Sequence, residues 1–140
     1  SASRIQRWER IVQEAAEQSE RVRLPVIEPV RRLGDALAQP FGEPLVFWER
    51  EASRTVRDAL DGFSGEAINL FIGPEGGFTE GEIAELESAG ARLAGFGPRV
   101  LRAETAGISG LAVVMNELGE MTAPGDRAPR NPASTRENRA

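Results

Sequence analysis

Two short loops hold the residue types from which a binding crevice can be built. The first, Gly73-Pro74-Glu75-Gly76-Gly77, follows an apolar strand and opens a helix. The second, Gly95-Phe96-Gly97-Pro98-Arg99-Val100-Leu101-Arg102, lies between another short strand and the last helix. Glycines let the main chain approach a ligand closely, so backbone N–H and C=O groups would line such a site. The charged side chains nearby are Glu75, Arg99, Arg102 and Glu104: carboxylates that can accept a proton and guanidiniums that can hold an anion. Two such loops at the same ends of neighbouring parallel strands form the crevice in which open α/β sheets bind ligands.

Composition removes most other chemistry. The 140-residue chain has no histidine and no cysteine, which excludes the usual neutral-pH base, thiol nucleophiles, zinc-thiolate sites and disulfides. All 17 basic residues are arginine, so neither a Schiff-base lysine nor a P-loop lysine exists. Acid–base work falls to carboxylates, hydroxyls, the backbone or the substrate. No metal site and no membrane span are expected. The net charge of −5 argues against a general nucleic-acid-binding surface, although a local arginine cluster can still contact RNA. From residue 122 onward four arginines face two acids, a local +2 that leaves −7 on residues 1–121.

Each loop also has a plain structural reading. The GPEGG turn is neither a Walker A loop nor a GxGxxG fingerprint, and a tight strand-to-helix turn needs glycines in any case. In the second loop, Arg99 and Arg102 can simply be solvated and Glu104 can favour a helix start. Val100 and Leu101 fit that reading poorly, because they are exposed apolar residues unless a flat group such as an adenine ring covers them. The end of the first helix, Glu17 to Arg21, reads as a solvated helix end, and Glu49-Arg50 as a loop ion pair or a third wall of the crevice.

The elements that must position these loops alternate between strand and helix, which predicts one domain with a parallel α/β sheet. Arg4–Gln18 places Ile5, Trp8, Ile11, Val12 and Ala15 at helical spacing. Leu24–Ile27 reads as a short strand, with Pro25 and Pro29 marking an edge or a strand end, and Val30–Ala38 as a short helix. Pro44–Trp48 is a continuous apolar run, expected for a strand covered on both faces. Ser53 is the expected cap of a helix through Leu60, and Ala67–Ile72 is the next buried strand. Thr79 and Glu82 form a capping box for a helix to Ser88, with Gly90 as its C′ residue. Arg92–Phe96 is a further strand, and Glu104–Leu118 a final helix with a slim face of small residues. Residues 122–140 are Pro-, Asn- and Arg-rich and read as a disordered tail.

The strings ERIVQEAAEQSERVRLPVI, PLVFWERE, LFIGPEGGFTEGEI and GFGPRVLRAETAGISGLAVV closely resemble the SPOUT class of methyltransferases. Within it, they are similar to the family that methylates N3 of a uridine in 16S ribosomal RNA of the small subunit. The resemblance covers about residues 4–119. It implies a parallel sheet flanked by helices, with the C-terminal part tied in a deep trefoil knot, a rare departure from unknotted chains. It also implies a cytoplasmic homodimer that holds S-adenosylmethionine in the knot.

Carried over by position, the resemblance makes the cofactor site from the turn at Phe47 to Glu49, the Gly73 to Gly77 loop with Pro74, Glu75 and Gly76, and the Phe96 to Thr105 loop. Gly97, Val100 and Leu101 would meet the adenine and methionine moieties, and Gly73 and Gly76 would approach the ribose. Arg102 and Glu104 would lie nearest the transferable methyl, and Arg21 would come from the dimer partner. Members of the family usually carry an N-terminal RNA-binding β-barrel, then a strand and helix that begin the catalytic domain. Nothing here precedes Ser1, so the chain is expected to be the catalytic part of a longer protein. Two other readings remain open: a SPOUT 2′-O-ribose methyltransferase, whose last motif is typically Ser-Leu-Asn rather than Arg102-Ala103-Glu104-Thr105, and a non-catalytic knot module that dimerises or binds RNA.

Overall fold

A computed structural model of the chain describes residues 2–38, 42–51 and 53–122. The predicted tail beyond Thr122 lies outside the described residues. The chain divides into two units, residues 1–35 and 36–140.

In the first unit, helix α1 (Ala2–Gln18) forms where the apolar periodicity places it. Ala16 is buried, Ile5 and Val12 are half-buried, and Trp8 and Ile11 stay exposed. Its end is set by Glu20, whose φ of 54° is the left-handed conformation that glycine usually supplies. The Arg21 N–H then reaches back to the Ala16 carbonyl at 2.9 Å. The predicted strand Leu24–Ile27 does not form; residues 24–32 have no regular secondary structure. Pro25 and Pro29, four residues apart, remove ladder donors along one edge of the segment, and no described strand pairs with the other. The short helix α2 (Leu33–Leu37) begins three residues later than expected.

The second unit is built on three parallel strands: β1 (Glu43–Phe47), β2 (Ile68–Ile72) and β3 (Arg92–Ala94). The sheet order is β2-β1-β3. The PLVFW run is therefore the central strand, as its continuous hydrophobicity requires, with Leu45, Val46 and Phe47 all buried. The two loop-bearing strands are not neighbours, contrary to the sequence reading. They flank β1, which makes the end of β1 the point where the strand order reverses.

Alternation along β1 sends Leu45 and Phe47 to one face. There they join Ala94 of β3, Val56 and Ala59 of α3 (Val56–Leu60), and Val114 of α5 (Ala103–Glu117) in one buried cluster. Gly110 lets α5 lie flush against this core, because a Cβ there would sit 2.8 Å from the Phe47 ring. Arg57 of α3 donates to both carboxylate oxygens of Glu117 on α5, at 3.0 and 3.3 Å. Helix α4 (Glu80–Ser88) follows the first glycine loop and buries Ile83 and Leu86.

The helix ends follow local chemistry closely. The Thr79/Glu82 capping box is present as predicted. Gly90, with φ 84°, closes α4: its own N–H bonds Glu87 and the Ala91 N–H bonds Leu86, a Schellman pair. Helix α3 departs from expectation, because its cap is Thr55, in a second capping box with Asp58. Ser53 is not free to cap it, since its hydroxyl and N–H both donate to Glu51.

Candidate functional site

Three loops leave the sheet side by side because the strands are in register at their C-terminal ends. Ile72 of β2 pairs with Phe47 of β1, and Phe47 pairs with Ala94 of β3, so the three chains exit from one row. The loops after that row enclose a cleft of about 270 Å³. This is slightly below the roughly 300–1,000 Å³ common for small-molecule sites, and it lies at a switch point of the sheet.

Each loop is held by its own hydrogen bonds. After β1, the Trp48 N–H continues the ladder to the Ala94 carbonyl at 3.0 Å, and the Glu51 N–H returns to the Trp48 carbonyl at 3.1 Å. Glu51 then accepts from the Ser53 hydroxyl, the Ser53 N–H and the Arg54 N–H. The Ser53 hydroxyl, and then these two backbone donors, hold the Glu51 carboxyl below its ordinary value. Arg50 reaches Glu80 at the start of α4, at 3.2 Å, and links the first loop to the second.

After β2, Pro74 to Gly77 forms a tight turn closed by the Gly77 N–H to the Pro74 carbonyl at 2.9 Å. Gly77 has φ 71°, and a Cβ there would collide with the Glu49 carboxylate. The next residue but one is Thr79, whose backbone N–H and then hydroxyl bond Glu82 and hold its carboxyl below the ordinary range. After β3, the Gly95 N–H donates to the Arg54 carbonyl at 3.0 Å. A Cβ on Gly95 would run into the Glu51 carbonyl oxygen, so only glycine permits this passage against the first loop. The Phe96 ring stacks on Phe47, with centroids 4.6 Å apart and planes 12° apart.

The cleft brings together Phe47, Glu49, Gly73, Pro74, Glu75, Gly76, Phe96, Val100 and Leu101 from the sequence reading. Gly97, Arg102, Glu104 and Thr105 do not line it. Gly97 makes the turn at φ 66°, and Arg102 is the exposed N-cap of α5, with no side-chain capping bond. Glu104 and Thr105 are exposed on the first turn of α5. Arg21 belongs to the first unit. Gly77, Arg99 and Ala103 also line the cleft and fall inside the two loops named from the sequence, whereas Ile72 and Ala106 lie outside them. Ala106 is legible as a lining residue only as one face of α5 once the start of that helix is known. Val100 stays 75% exposed, an apolar side chain at the cleft with no protein cover. Trp48 Nε1 is buried and has no partner within the described residues.

Comparison with known proteins adds to this geometry. Residues 1–115 match the profile of the RNA methyltransferase domain family. The chain belongs to that family. Relatives of this methyltransferase domain include ribosomal RNA small subunit methyltransferase E of Bacillus subtilis, 33% identical over 116 residues, covering 78% of this chain and 45% of the relative. The protein of the same name from Synechocystis is 37% identical over 118 residues, covering 81% of this chain and 39% of the relative. Among solved structures, the Neisseria gonorrhoeae ribosomal RNA small subunit methyltransferase E bound to S-adenosyl methionine superposes with a TM-score of 0.74 at 35% identity, covering 82% of this chain and 48% of that one. A Legionella pneumophila methyltransferase in complex with bound SAM gives 0.73 at 31%, covering 82% and 47%. The domain thus spans about half the length of the relatives it matches. Among its described residues, no helix is long and apolar enough to cross a membrane, and no three acidic residues cluster as metal ligands.

Proposed function

We propose that this chain is the catalytic part of an S-adenosylmethionine-dependent methyltransferase that acts on N3 of a uridine in 16S ribosomal RNA of the small subunit. One observation carries the reading: three loops, two of them glycine-bearing, meet over the end of the central strand, with the apolar Val100 uncovered beside them. A flat adenine laid over Val100 and Leu101 would remove that surface from water, and the glycine loop would bring backbone groups to the ribose. The passage of Gly95 against the first loop supports a chain threaded as a trefoil knot. Ile108, Leu111 and Met115, exposed at helical spacing on α5, support a homodimer.

Bound S-adenosylmethionine supplies an electrophilic methyl on a sulfonium centre, so the chain's task is alignment and charge control. Uridine N3 must lose its proton before or as its lone pair attacks. Arg102, projecting from the start of α5, would hold the charge that develops on the uracil O2 and O4. Glu104 or Glu75 would take the proton, and Arg21 would be contributed by a second copy.

Calorimetric titration of S-adenosylmethionine and S-adenosylhomocysteine into the chain tests the cofactor half. Saturable binding that disappears in Gly76→Val is expected. A folded protein that binds neither ligand would reject it in favour of a non-catalytic module. Nucleoside analysis of small-subunit RNA methylated by the full-length protein tests the rest: 3-methyluridine supports the reading, and a ribose-methylated nucleoside overturns it.

A further inference from the structure

The charged lining of the cleft is sparse and divided. Among the described residues it consists of Glu49, Glu75 and Arg99. The two carboxylates stand on the loops after β1 and β2, and Glu49 lies against Gly77. Arg99 stands on the opposite loop, after β3, where Ala103 and Ala106 of α5 also line the cleft. No ion pair within the described residues engages Arg99, whereas Arg50, Arg57 and Arg92 are all paired with acids. The site therefore has an acidic wall and a basic wall.

We infer that Arg99 binds the carboxylate of the methionine moiety and so fixes which way round the cofactor lies. The inference rests on the cofactor reading above. S-Adenosylmethionine carries a ribose diol, a sulfonium and an α-ammonium, which suit carboxylates, and one carboxylate, which suits a guanidinium. With Arg99 as the lining cation, this orientation sets the ligand carboxylate against a guanidinium; the reverse would set it against Glu49 and Glu75. The positive end of α5, beginning at Ala103, adds to the field on the same wall. Arg102, by contrast, does not line the cleft and remains available to the RNA side.

The test uses two ligands that differ by the amino-acid portion: S-adenosylhomocysteine and 5′-methylthioadenosine, which lacks the carboxylate. In Arg99→Gln, affinity for S-adenosylhomocysteine is expected to fall about ten- to hundredfold, as loss of a charge-assisted bond implies. Affinity for 5′-methylthioadenosine should be unchanged, and Arg99→Lys should recover part of the loss. Equal weakening of both ligands would overturn the inference, because Arg99 would then serve the adenosine or the loop itself. Unchanged S-adenosylhomocysteine affinity with weaker RNA binding would also overturn it, assigning Arg99 to an RNA phosphate. If the wild-type chain bound neither ligand, the cofactor reading would fall and this inference with it, a result distinct from either of the others.

Discussion

Gly76 and Gly77 are adjacent, yet replacing each with alanine should have opposite effects on stability. At Gly77 the backbone has φ 71°, and an added Cβ meets the Glu49 carboxylate. Holding a non-glycine residue in the left-handed region costs about 1–2 kcal/mol. The collision adds little, because the carboxylate ends a flexible, exposed side chain that can swing away. At Gly76 the φ lies outside the left-handed region and a Cβ meets no protein atom within 4 Å. Alanine there only restricts the unfolded chain, which stabilises by roughly 0.4–1 kcal/mol. With an unfolding entropy of about 2.1 cal/mol/K per residue, Gly77→Ala should lower Tm by roughly 4–8 °C. Gly76→Ala should leave Tm unchanged or raise it by about 2–4 °C. Thermal unfolding followed by circular dichroism, with urea titrations to check that m is constant, measures both. Equal destabilisation by the two changes would refute the turn geometry and the claim that Gly76 is reserved for a ligand.

Further outcomes follow from other parts of the structure. Arg102→Ala should cut methyl transfer by the full-length protein at least tenfold while leaving S-adenosylhomocysteine affinity nearly unchanged, since Arg102 does not line the cleft; parallel loss of both would refute its placement on the RNA side. Glu82 has a carboxyl held below its ordinary value, chiefly by the Thr79 N–H, so its contribution is present at neutral pH and is lost as pH falls through the folded-state value. Urea midpoints measured between about pH 6 and pH 3 should therefore fall, and fall less steeply in Glu82→Gln; an identical slope would exclude the capping box as a source of acid sensitivity. Leu111→Asp should shift the sedimentation of a dimer towards monomer without lowering helix content, because Leu111 is 50% exposed on α5. An unchanged sedimentation coefficient would move the interface elsewhere.

Much of the fold was legible where one local interaction decides the outcome. The Thr79-Glu82 box, the Gly90 terminator and the burial of the PLVFW strand each follow from residue type and spacing alone. The misses arose where two local readings competed or where distance mattered. Ser53 and Thr55 can both cap a helix, and the choice fell to Thr55 because Glu51 captures Ser53. Residues 24–27 have the hydrophobicity of a strand, but Pro25 within them and Pro29 beyond remove the donors along one edge. Strand order is invisible to periodicity, so nothing local revealed that β1 would separate β2 from β3. The same limit applied to the site: loop residues were found from glycine and proline, whereas Ala106 enters the cleft only through the path of α5.

The central place of β1 also sets a timetable for biosynthesis. Its Val46 pairs with Phe71 on one side and with Leu93 on the other. Leu93 is made 47 residues after Val46, by their numbering. At translation rates of about 5–20 residues per second, one edge of an apolar strand stays open for roughly 2–9 seconds after it leaves the ribosome. Parallel pairing over such separations is intrinsically slow, so the sheet cannot close promptly even when the last strand arrives. Val46 and Phe47 are thus most exposed to aggregation in the nascent chain, and slowing synthesis between Ile72 and Arg92 should reduce the soluble yield more than slowing it after Glu117.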